Sequence, residues 1–205
     1  MNHRVIAELC NADYASGTQS WIYESVQASF HVDGGEGLVI FRGTEIHAPS
    51  ESTWHFVRDV GRDLRALPWR DGKYGTGWWH AGFYKGVLPL ISTIAGVMAS
   101  FPGRKTFAGH SKGGAEATIA ARIMLAIGVR VDEIVTFGAP AVGGTALNIP
   151  FTRYVHGCDP VPNLPPWLWH LAPATVLGVR DSQTWDAGDH GMANYCAALD
   201  LPRAA

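Results

Sequence analysis

The segment "KTFAGHSKGGAEATIAARIMLAIG" (Lys105 to Gly128) constrains the chain more than any other. A β-leaning run ends at a serine flanked by glycines, and a small-residue helical pattern starts at once. A residue on so sharp a strand-to-helix bend has its side chain pushed outward, and only tiny neighbours two positions away on each side avoid a clash. Gly109 and Gly113 stand at those two positions around Ser111. The pattern G-x-S-x-G in a strand–turn–helix context is that of a nucleophile elbow.

The rest of the chain reads as strands alternating with helices. Predicted helices cover Arg4 to Ala15, about Trp54 to Leu67, the stretch from about Tyr84 onward with Pro89 as a kink or first-turn residue, Gly113 to Gly128, and about Gly188 to Leu199. Predicted strands are "GLVIF" from Gly37, "KTFAG" from Lys105, "EIVTFG" from Glu133, "TRYVHG" from Thr152 and, as an edge strand, "ATVLGV" from Ala174. This alternation implies an α/β fold with a mostly parallel central sheet flanked by helices on both faces. In such sheets the site lies at the C-terminal ends of the strands, where Ser111 sits. With 205 residues, no repeat and no long linker, a single domain is expected.

Composition removes other classes. Apolar residues make up 47% and charged residues 17%, so the chain is globular. The net charge is −2 and no basic cluster occurs, which argues against a nucleic-acid partner. Cys10, Cys158 and Cys196 form no Cys-x-x-Cys pair, so a zinc site or disulfide framework has no support and three buried free thiols are expected. No metal or cofactor is implied. The uncharged stretch Gly86 to Gly103 contains Pro89, Gly96 and Pro102. It reads as a buried helix of a soluble protein rather than a transmembrane segment. The N-terminus carries Arg4, Glu8 and Asp13 and lacks a secretory apolar core, so a cytoplasmic location or export by a non-classical route is expected. Nothing in the sequence marks the oligomeric state.

A serine hydroxyl is a weak nucleophile at neutral pH. It needs an imidazole to take its proton and a carboxylate to orient that imidazole. On a nucleophile elbow of this architecture the chain order is serine, acid, histidine. The downstream histidines are His156, His170 and His190. His156 lies within a predicted strand and reads as a hydrogen-bonded core residue, and His170 reads as a possible pocket-lining residue. His190 lies in "DAGDHGMANY", a loop entering the last helix, with room to swing back to Ser111. The downstream acids are Asp132, Glu133, Asp159, Asp181, Asp186, Asp189 and Asp200, and Asp159, just past a predicted strand in "HGCDPVPNLPP", sits where a side chain can reach the C-terminal edge of the sheet. Asp132 begins a strand, at the wrong end of the sheet. Asp189 is adjacent to His190, where side chains diverge, and suits a helix N-terminus better.

Six segments in order, "VIFRGT", "HAGFYKG", "GHSKGGAEA", "VTFGAPAVG", "YVHGCDPVPNLPP" and "DHGMANY", resemble the class 3, or fungal-type, lipase family of α/β-hydrolases. The resemblance implies an α/β-hydrolase fold over residues 1–205 with a lid around residues 45–61. It implies a catalytic triad of Ser111, Asp159 and His190. The oxyanion hole would be formed by Thr44 and by the backbone N–H of Lys112. It also implies a serine carboxylester hydrolase working on acyl esters such as acylglycerols at an oil–water or membrane interface. A phospholipase A1, an acyltransferase and a non-catalytic binding relative are the alternatives.

One departure stands beside the nucleophile. Lys112 follows the serine where the better-known members carry an apolar residue, and its cation is expected at the mouth of the pocket or in solvent. Trp54 and Phe56 would give the lid region an apolar face. Trp78, Trp79, Trp167 and Trp169 are read either as an interface-seeking rim or as core filling.

Overall fold

Period-two burial organises the sheet. In the strand Glu36–Phe41, Leu38 and Ile40 face one layer while Val39 and Phe41 face the other, and all four are fully buried. A strand buried on both faces needs a helical layer on each side. The computed structural model describes residues 1–12, 19–43, 67–178 and 184–200. Its elements in chain order are α1 (His3–Asn11), β1 (Gln19–Tyr23), β2 (Val26–Asp33), β3 (Glu36–Phe41), β4 (Pro68–Asp71), β5 (Gly77–His80), α2 (Ala81–Ser100), β6 (Arg104–His110), α3 (Lys112–Ala126), β7 (Glu133–Phe137), β8 (Phe151–His156), β9 (Ala174–Leu177) and α4 (Met192–Asp200).

Among the described residues, one sheet runs β1-β2-β3-β6-β7-β8-β9, and β4 and β5 form a separate antiparallel ribbon. From β3 to β9 neighbouring strands are parallel, whereas β1/β2 and β2/β3 are antiparallel. Helices α2 and α3 cover one face, burying Val39, Phe41, Phe107 and Ile134. Helices α1 and α4 cover the other, burying Leu38, Ile40, Val135 and Phe137. The chain is an α/β-hydrolase fold with a mostly parallel sheet, as expected.

The sequence-level boundaries shift for identifiable reasons. Helix α1 begins at His3 because the Asn2 side chain accepts from the Arg4 N–H, and it ends at Asn11, short of the expected Ala15. Helix α2 starts at Ala81, three residues earlier than expected, where the His80 ring caps the Phe83 N–H, and Pro89 lies inside it. By length and composition α2 is able to cross a membrane. Here it buries Phe83, Val87, Ile91 and Ile94 in the protein core. The last helix begins at Met192 rather than Gly188, because Gly188–His190 is a 3-10 turn. Strands β1, β2, β4 and β5 were not expected. The β2–β3 connection is a two-residue turn, Gly34-Gly35, with both φ angles positive (54° and 82°). Glycine is the residue that a primed hairpin turn of this kind favours. The expected lid at 45–61 and nearly all of the expected helix from Trp54 lie outside the described residues. Among the described residues no disulfide joins the cysteines, and only Cys10 is buried; Cys158 and Cys196 are partly exposed.

Candidate active site

The elbow forms because β6 and α3 meet without a loop. Ser111 has φ 54° and ψ −129°, a strained combination for a residue with a Cβ. Its N–H is held by the Phe137 carbonyl at 2.9 Å, and its own carbonyl receives Gly114 N–H at 3.0 Å. Space decides the flanking residues. A Cβ on Gly113 would lie 2.1 Å from the Phe41 carbonyl oxygen, and one on Gly109 would lie 2.4 Å from the Gly113 carbonyl.

Three of the residues singled out in the sequence meet here. The Ser111 hydroxyl donates to His190 Nε2 at 2.8 Å, and His190 Nδ1–H donates to Asp159 Oδ2 at 2.9 Å. Ser111 and Asp159 are brought to one rim by the ends of the parallel strands β6 and β8, which flank β7, and His190 reaches them from the 3-10 turn before α4. All three are nearly enclosed: Ser111 and His190 are 4% exposed and Asp159 is 2% exposed. Partial water exclusion of this sort strengthens each charge-assisted contact. The geometry is that of a hydroxyl, a base and an orienting acid in one line.

The supporting contacts were not read from the sequence. Tyr195, one helical turn into α4, donates its hydroxyl to Asp159 Oδ2 at 2.5 Å, and the Val161 N–H donates to Oδ1 at 2.9 Å. Burial, reinforced by the Asp159 charge, holds the Tyr195 phenol well above its ordinary pKa, so it is a hydroxyl donor and not a phenolate. His110 donates from Nε2 to the His190 carbonyl at 2.8 Å, and the two rings lie 4.7 Å apart. Burial, then the neighbouring imidazole of His190, pushes His110 down to about 3, so it stays neutral. Asp189 accepts from the Cys158 N–H at 2.7 Å and faces His156 Nδ1 at 3.1 Å. It ties the acid-bearing loop to the histidine-bearing turn rather than capping a helix.

The remaining expectations are placed as follows. His156 is half-buried beside Asp189, outside the three-residue line. His170 donates from Nε2 to the Pro162 carbonyl at 2.7 Å. Lys112 opens α3, and its side chain turns to the β1–β2 hairpin, where Nζ donates to the Ser25 carbonyl at 2.5 Å and lies 3.4 Å from Glu116. It is thus neither a pocket-mouth cation nor a solvated one, because the unforeseen hairpin supplies an acceptor within reach. Thr44 lies outside the described residues. Trp79 is core, donating Nε1–H to Thr76, whereas Trp78, Trp167 and Trp169 are exposed. Among the described residues no group of three or more His, Cys, Asp or Glu is arranged to hold a metal ion.

Comparison with known proteins gives a consistent frame. Residues 38–169 match the family model described as lipase (class 3). The secreted mono- and diacylglycerol lipase 1 of Fusarium solani is 37% identical over 99 residues, covering 42% of this chain and 29% of that protein. Lipase A of Sodiomyces alcalophilus is 35% identical over 145 residues, covering 61% of this chain and 30% of that protein. The chain therefore spans less than a third of the length of either relative. The Rhizomucor miehei lipase in its propeptide complex superposes with a TM-score of 0.63 at 22% identity, covering 84% of this chain and 66% of that one. The lipase of Rhizopus microsporus var. chinensis gives 0.62 at 20% identity, covering 89% and 69%. These structural likenesses establish the fold.

Proposed function

The chain belongs to the class 3 lipase family, and from that premise we propose that it is a serine carboxylester hydrolase acting on acyl esters of the acylglycerol type. The observation that carries the reading is the unbroken line from the Ser111 hydroxyl through His190 to Asp159, at 2.8 and 2.9 Å.

In this reading Ser111 Oγ attacks the ester carbonyl carbon while its proton passes to His190 Nε2. Asp159 keeps the imidazole in the tautomer whose Nε2 is free to accept, and it stabilises the imidazolium that forms without taking the proton itself. The carbonyl π pair moves onto oxygen. The Lys112 N–H, at the N-terminal end of α3, is one donor to that oxyanion, and Thr44 is assigned the second by family resemblance. A donor of this kind contributes on the order of 10²–10³ in turnover. The alkoxyl C–O bond then breaks, and the alcohol leaves with the proton from Nε2. Water enters, gives a proton to His190, and its oxygen attacks the acyl carbon. Collapse returns the proton to Ser111 Oγ and releases a carboxylic acid. The substrate class follows from the family and from the names of the two relatives, both called lipases.

A graded ester series tests this. Hydrolysis of p-nitrophenyl esters and of emulsified mono-, di- and triacylglycerols is the expected result. Absence of hydrolysis across the whole series, with folded protein, overturns the proposal.

A further inference from the structure

Behind the triad acid lies an open cleft of about 650 Å³ between β8, the Asp159 loop, the start of β9 and the segment leading to His190. Its volume is in the range of small-molecule sites. The unusual wall residue is Arg153 on β8, 6% exposed. Its Nη1 donates to the Ala172 carbonyl at 2.9 Å, its buried Nε has no hydrogen-bond partner, and no carboxylate among the described residues pairs with it. Burying a guanidinium without a counterion is costly. Burial pulls Arg153 down only to about 10, so it remains a cation at neutral pH.

Among the described residues that line the cleft, none compensates that charge. Asp159 contributes to the wall, but its carboxylate is already taken up by His190, Tyr195 and the Val161 N–H. His170 adds no charge of either sign: burial, then the Arg153 cation, pushes it down to about 4, and its Nε2–H is committed to Pro162. Asn163 and Thr184 supply neutral polar groups. Val155, Pro162, Ala174 and the half-exposed Trp185 indole give the cleft an apolar side.

We infer that this cleft binds a small organic monocarboxylate, its head on the Arg153 guanidinium and its apolar body along Val155, Pro162 and Trp185. A planar guanidinium matches a carboxylate through parallel N–H donors, and a ligand of this charge supplies the counterion that the described residues do not. The site is separate from the hydroxyl of Ser111, and the inference does not depend on hydrolysis.

Sodium octanoate, with 1-octanol as the uncharged control, is titrated into ¹⁵N-labelled protein and followed by two-dimensional amide spectra. The expected result is a saturable shift of the Val155, Gly157 and Asn163 signals by octanoate and at least tenfold weaker binding of octanol. Arg153→Met is expected to weaken octanoate binding about tenfold or more while leaving the melting temperature equal or higher, since an unpaired buried charge has been removed. No saturable shift at these amides, or equal binding of acid and alcohol, overturns the inference. So does an Arg153→Met protein that binds octanoate as tightly as the parent. If the methionine variant does not fold, the octanoate–octanol comparison on the parent chain decides alone.

Discussion

The hydroxyl of Tyr195 donates to Asp159 Oδ2, the same oxygen that receives the His190 Nδ1–H. One carboxylate oxygen therefore serves both the base and a phenol from α4. Removing the phenol leaves a buried carboxylate with one donor fewer, at a cost of about 1–3 kcal/mol in stability. It also leaves more negative charge facing the imidazole. Tyr195→Phe is expected to lower the urea midpoint and to move the acid limb of the kcat/KM profile to higher pH. A profile superimposable on the parent's would show that the phenol does not act on the acid.

The space around the elbow gives a second expectation. A methyl group at residue 113 would sit 2.1 Å from the Phe41 carbonyl oxygen, a backbone atom that cannot rotate away. Gly113→Ala must push α3 off β3, and a loss of more than about 3 kcal/mol is expected, at the severe end for single substitutions. Soluble yield and chemical unfolding measure it, and a stable variant would mean that the helix rides on the sheet less tightly than described.

Glu116 gives a pH dependence with a definite sign. It is fully buried in α3, and neither carboxylate oxygen is hydrogen-bonded, although Lys112 Nζ forms an ion pair with it at 3.4 Å. Burial, opposed in part by Lys112, pushes it up to about 8. The native state keeps this proton over a range in which the unfolded chain has released it. The unfolded state then binds fewer protons, so stability falls as pH rises from the ordinary glutamate value toward 8, by at most about 1.4 kcal/mol per pH unit. Glu116→Gln removes that slope and is expected to gain on the parent steadily between about pH 5 and about pH 8 in urea unfolding. Parallel curves for the two proteins would contradict the assignment.

The parts of the site legible in the sequence were those dictated by short-range geometry. Ser111 announces itself because its bend needs glycines two residues away, and the family resemblance of the segments around Asp159 and His190 points to those two. Tyr195 and His110 could not be read the same way, since their roles come from contacts across 36 and 80 positions. One signal was available for Tyr195: it lies five residues past His190 on the helix that packs beneath the acid. The fold shows the same division. Buried strands such as β3 and β7 read as apolar runs, whereas β1 is exposed at four of its five positions and has no alternation to detect. The Gly34-Gly35 turn did mark a hairpin, and β2 and β3 flank it. The Lys112 side chain was misplaced for a related reason, because its acceptor belongs to the unread hairpin.

The most direct test is active-site labelling with a fluorophosphonate, read by peptide mass spectrometry and paired with hydrolysis of a short nitrophenyl ester. The account predicts a single phosphonylated serine, Ser111. It also predicts a loss of about 10⁴–10⁶ in kcat in Ser111→Ala and in His190→Ala, both folded. A Ser111→Ala protein that cleaves the ester at the parent rate, or a label carried on another residue, would contradict it.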